Sequence, residues 1–220
     1  MKKTRSLFLA AVVLGTVLTG CASQKSTFSP SENCVYISQD GSVYSALVKE
    51  YEGEAVDGKD LKQYLEASVI RYNKENGRGE TAENKAGATA KLPAALVDVS
   101  AKDGVMKAIF EYNSAEDLAK FRQTNDNADD SSTVTAVEVK KASDAGAAEW
   151  FNKEVFVTPD GSKVSKEELT KDGESSAAAI EGGGTVMFSG KVLYMTEGTE
   201  KKDEYTVTVP KDGKAVVVFK

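Results

Sequence analysis

The chain has 220 residues, with 34 acidic against 28 basic side chains, a formal net charge of −6 and no histidine. Ser-His-Asp and Cys-His catalysis are excluded, as are metal sites built on imidazole. An acidic chain is poorly matched to a phosphate backbone, so no nucleic-acid role is expected. A hydrophobic fraction of 40% and a charged fraction of 28% belong to a globular chain, not to a disordered or multi-span one.

Lys2, Lys3 and Arg5 give a positive start, and Leu7 to Leu18 is an apolar run. The run is too short for a relaxed transmembrane helix and has the length of a secretory core. It ends in Leu18-Thr19-Gly20-Cys21, which resembles the lipobox of bacterial lipoproteins, Leu-x-Gly-Cys. The resemblance implies that residues 1–20 are a signal peptide cut before Cys21, whose sulfur carries a diacylglycerol. It places the protein outside the cytoplasm, lipid-anchored to the bacterial cell membrane, or to the outer membrane in a diderm, since Ala22 is not Asp. The membrane is then the first partner. Cleavage removes three basic residues and no acidic ones, leaving 25 basic against 34 acidic side chains, a side-chain charge of −9.

Residues 21–33 are rich in Ser and contain Pro30, and read as a tether. With Cys21 committed to lipid, Cys34 is unpaired within the chain. It reads as a small buried residue opening the first strand; the alternative is a reactive or cross-linking thiol.

Asp-Gly punctuates the rest, at residues 40, 57, 103, 160, 172 and 212. Between apolar runs it signals a hairpin, because both residues tolerate positive φ. Three hairpins are expected: Val35–Ile37 with Val43–Tyr51, Leu96–Ser100 with Val105–Tyr112, and Tyr205–Val209 with Ala215–Phe219. In the second, Met106, Ala108, Phe110 and Tyr112 share a face, with Lys107 and Glu111 opposite. Ala215–Phe219 is apolar throughout and should be central in its sheet. Glu181–Gly184 reads as a flexible joint before a fourth hairpin, Thr185–Ser189 with Lys191–Met195.

A helix is expected from Gly58 to Asn76, with Asp57 as N-cap, Leu61, Tyr64, Leu65, Val69 and Tyr72 on one face, and Gly77 after its end. A second runs from Ala115 to Gln123 behind Ser114, with Leu118 and Phe121 inward. Ser165 to Glu168 fits a capping box and a short third helix. Asn125–Ser132 reads as a loop between a ββαββα half, 34–124, and a β-rich half, 133–220. Length leaves open whether these form one continuous domain. The expected fold class is α+β: antiparallel β-hairpins with two helices packed on one face, and a β-rich C-terminal half.

Chemistry-bearing motifs are scarce. Gly-x-Ser-x-Gly, Ser-x-x-Lys and phosphate-binding glycine loops are absent, so no catalytic or cofactor-binding residue is assigned. Asp126, Asp129 and Asp130 offer oxygen ligands but match no EF-hand frame, and no metal site is assigned. Trp150-Phe151 is a partner-contact or sugar-stacking candidate, with a core anchor as the plainer reading. Val35 to Gly77 resembles a segment of surface lipoproteins of clostridia-like gut bacteria that carry no assigned activity. The expectation is a non-enzymatic binding or structural module of the envelope, its partner an envelope protein or wall component. The alternative is an envelope hydrolase using an Asp/Glu pair.

Overall fold

The protein is described from a computed structural model covering residues 28, 30–52, 57–85, 90–124, 132–152, 154–211 and 213–220. The first two expected hairpins form. β1 (Cys34–Ile37) pairs antiparallel with β2 (Val43–Glu50), and β3 (Ala94–Lys102) with β4 (Val105–Tyr112). The same dipeptide closes them differently. Asp103 and Gly104 both take positive φ, 52° and 78°, the two-residue turn that suits strand twist. At Asp40-Gly41 only the glycine does. There the Asp40 carboxylate accepts the Ser42 N–H at 2.9 Å, and Gly41 N–H donates to the Ser38 carbonyl at 3.0 Å.

Between the hairpins lies α1 (Gly58–Glu75), capped as read: Asp57 accepts the Lys59 N–H at 2.8 Å. Gly77 beyond its end has φ +70°. The buried arc centres on Val69, Tyr72 and Asn73. Tyr64 falls outside it and is 57% exposed, a correction to its expected place on the apolar face; Ile70 packs instead. Asn73 exchanges two hydrogen bonds with the backbone of Ala94 and donates a third to Thr81 O, fastening the last helical turn to β3. α2 (Ala115–Thr124) starts behind Ser114, whose hydroxyl accepts the Asp117 N–H at 3.1 Å, with Leu118 and Phe121 buried.

The C-terminal half comprises β5 (Ala136–Lys141), α3 (Ala142–Ala147), β6 (Phe156–Val157), β7 (Lys163–Val164), α4 (Lys166–Leu169), β8 (Ser176–Glu181), β9 (Gly184–Phe188), β10 (Val192–Thr196), β11 (Glu200–Lys201), β12 (Thr206–Val209) and β13 (Lys214–Phe219). β6 and β7 repeat the β1–β2 turn. Thr158-Pro-Asp-Gly-Ser162 makes the same bonds as Ser38-Gln-Asp-Gly-Ser42, including Gly161 N–H to Thr158 O at 2.9 Å. α4 forms where the capping box was read, but Ser165 makes no side-chain cap bond. The loop expected over 125–132 lies outside the described residues, except Ser132.

The strands form two sheets, giving the expected α+β fold. Sheet A has seven strands in the order β11-β12-β9-β1-β2-β4-β3, and sheet B six in the order β5-β8-β13-β10-β6-β7. Two expected hairpins are corrected. β9 and β10 do not pair, and neither do β12 and β13: β9 and β12 are neighbours in sheet A, while β10 and β13 are neighbours in sheet B. The chain passes from sheet A to sheet B through α2 after β4, and crosses again after β8, β9, β10 and β12. Alternation gives a strand its buried face but does not choose its partner, and both sheets bury their inner faces on one core. β13 is central in sheet B, as its apolar run requires.

One face of sheet A carries the core. Over β2, β4 and β3 lie α1 and α2, with the Phe121 ring in contact with those of Tyr72, Phe110 and Tyr112. Over β1, β9 and β12 lies sheet B, where Phe188 meets Phe219 at 4.8 Å between ring centroids. α3 and α4 cover the far face of sheet B, burying Ala142, Ala145, Phe151 and Leu169.

The segment read as a flexible joint, Glu181–Gly184, is a tight crossing. A Cβ on Gly183 would lie 2.2 Å from the Pro210 carbonyl oxygen, and one on Gly182 2.0 Å from that of Thr133. Gly190 meets the Lys220 backbone in the same way, at 2.3 Å. Backbone cannot retreat as a side-chain tip can, so these glycines are steric requirements. Gly183→Ala is expected to lower stability by about 3 kcal/mol or more. Gly173→Ala, whose Cβ would enter open space, should be neutral or slightly stabilising. Urea midpoints of the two variants check this.

Candidate functional site

The outward face of sheet A is built by the alternate residues of its strands. Val35, Ile37 and Val43 point into the core, so Cys34, Tyr36, Tyr44, Ala46 and Val48 point outward, joined by Ile109 and Met187. Among the described residues, only Phe28 packs onto this cluster from outside the sheet. Its ring stacks on Tyr36 at 4.6 Å, and Tyr36 meets Tyr44 edge-on at 5.7 Å. The chain that leads into β1 is thus laid down on this face. Asn33 Oδ1 accepts the Val48 N–H, and Glu32 pairs with Lys202 at 2.6 Å.

Beside Phe28 opens a groove of about 600 Å³, lined by Phe28, Tyr36, Met187, Asp203, Glu204 and Tyr205. Asp203 accepts the Tyr205 N–H at 2.7 Å and holds the turn that leaves Tyr205 42% exposed. Glu204 pairs with Lys191 at 2.9 Å. Aromatic rings beside carboxylates suit a neutral or cationic group and repel a polyanion.

Cys34 is buried at the floor of this face. Burial, and secondarily Glu32, push its thiol pKa up to about 12, against the pull of Lys202 and Lys107. A protonated, enclosed thiol is a poor nucleophile.

The sequence candidates lie elsewhere. Phe151 is buried and meets Phe156 edge-on at 5.2 Å. Trp150 is half-buried, with Lys140 Nζ 4.7 Å above its ring. It borders a groove of about 390 Å³ with Glu149, Glu154 and Val216. Glu149 takes φ +63° there, a left-handed conformation that costs a non-glycine residue about 1–2 kcal/mol. Cys21, Asp126, Asp129 and Asp130 lie outside the described residues. Among those residues no three His, Cys, Asp or Glu side chains gather to hold a metal ion.

Among the described residues, carboxylates with displaced pKa values are all displaced downward. Thr158 and Ser162 bond to Asp160 and lower it. Lys220, then the Glu174 N–H, lower Asp172. At Asp40 burial opposes the shift, but hydrogen bonds from Ser38 and Ser42 outweigh it. A hydrolytic acid needs the opposite displacement. No protein-family model, curated protein or solved structure matches the chain.

The outward face was missed in the sequence, although its signal was there. Val35-Tyr36-Ile37 and Val43 to Val48 carry large side chains on both alternations, which marks strands with two covered faces.

For Cys34 the folded pKa lies above the unfolded one. Its stabilisation is therefore complete below about 9.0 and is lost as pH rises toward about 12. Tyr112, also raised to about 12 by burial, contributes with the same sign. Urea midpoints should fall across this alkaline window, and fall less in Cys34→Ala. At neutral pH a thiol reagent should modify Cys34 only as fast as the protein unfolds; rapid modification of the folded protein would contradict the burial.

Proposed function

We propose that the protein is a lipid-anchored surface lipoprotein of a bacterial envelope, acting as a non-enzymatic binding or structural module. The carrying observation is Leu18-Thr19-Gly20-Cys21 behind a basic start and an apolar run. Two acyl chains on Cys21, at about 0.8 kcal/mol per buried methylene, suffice for stable attachment. Among the described residues no helix is long and apolar enough to cross a membrane.

The binding side of the proposal is supported by the groove between Phe28 and Tyr205. Its rings and carboxylates fit a wall saccharide or a basic, aromatic-seeking segment of another envelope protein better than an anionic polymer. The lowered carboxylates give no support to the hydrolase alternative.

Mass analysis of the mature N-terminus should find Cys21 first and acylated. Cys21→Ala should accumulate as an uncleaved or released form. A mutant that fractionates like the wild type would overturn the anchoring.

A further inference from the structure

We infer that the outward face of sheet A lies against the bilayer surface to which the chain is anchored. This rests on lipidation of Cys21. Phe28 lies seven residues after Cys21, so the connecting chain spans at most about 25 Å by any path. Phe28 is seated on this face, so the anchor leaves from it. The far face of sheet B is roofed by α3 and α4, and the inward face of sheet A by helices and sheet B.

The chemistry of the face agrees. Tyr36 and Tyr44 are half-buried and lie beside Val48 and Met187. Rings with an apolar body and a polar tip are the side chains favoured at a headgroup boundary. The mature chain's −9 would be repelled by an anionic bilayer, but several acids near this face are paired in place. Glu32 pairs with Lys202 at 2.6 Å and Glu111 with Lys91 at 2.8 Å, while Lys107 stands close enough to Cys34 to act on its thiol. These pairs weaken the repulsion between the face and an anionic bilayer. In this orientation the groove beside Phe28 opens at the height of lipid headgroups, and α3, α4 and Trp150 face away.

The test uses the full lipidated protein reconstituted in vesicles of phosphatidylcholine and phosphatidylglycerol carrying a headgroup spin label. A fluorophore is placed at Thr208→Cys, on the outward face of β12, or at Glu168→Cys, on α4; buried Cys34 stays unlabelled. Quenching should be several-fold stronger at residue 208 than at 168. Equal quenching, or stronger quenching at 168, from protein that floats with the vesicles would overturn the orientation. A Cys21→Ala chain that still floats with the vesicles would instead overturn the anchoring reading.

Discussion

The parallel pairing of β1 with β9 is the constraint on which the rest depends. Val35 lies opposite Val186 and Ile37 opposite Phe188, joining segments about 150 residues apart in the chain. β1 has only four residues, yet it sits in the middle of a seven-stranded sheet with β2 on its other side. Its inward residues enter the shared core and its outward ones, Cys34 and Tyr36, carry the face on which Phe28 rests. A central strand cannot peel away without breaking two ladders. The segment that leads from Phe28 into β1 is therefore tied into the fold.

The crossings of the C-terminal half follow from that pairing. Once β9 and β12 extend sheet A beside β1, the strands that directly follow them, β10 and β13, return to sheet B. The crossings from β8 to β9 and from β9 to β10 bring backbone against backbone, which is why glycine stands at 182, 183 and 190 and why those positions have no room for a Cβ. β8 fits the same scheme. Ala177 packs toward α3 and Ala178 toward sheet A, and small side chains let both layers approach.

Much of the local structure was legible. Asp57, Gly77 and Ser114 mark helix ends by their own hydrogen-bonding and backbone chemistry, and Asp-Gly at 40 and 103 closes hairpins whose partners are adjacent in sequence. What was not legible has a common cause. Strand partners separated by a crossing leave no local trace, so β9–β10 and β12–β13 read as hairpins. Ser176–Glu181 carries no β-branched pattern apart from Ile180, and its strand identity comes from its neighbours. Gly182-Gly183-Gly184 looks the same whether glycine is needed for freedom or for closeness. The candidate surface escaped because it joins Phe28, Tyr36, Met187 and Tyr205, which only the β1–β9 and β9–β12 pairings bring together.

Docked N-terminal segment and groove thus form one chain of consequences: a short strand near the N-terminus is held centrally by a strand from the far half, and the surface around its entry point is fixed by both. Native-state hydrogen exchange measures this directly. The amides of Val35 and Ile37 should exchange with the same opening free energy as those of Val186 and of Val217 in sheet B, as parts of one cooperative unit. Exchange of β1 and β9 through a separate, lower-energy opening while sheet B stays protected would contradict the account.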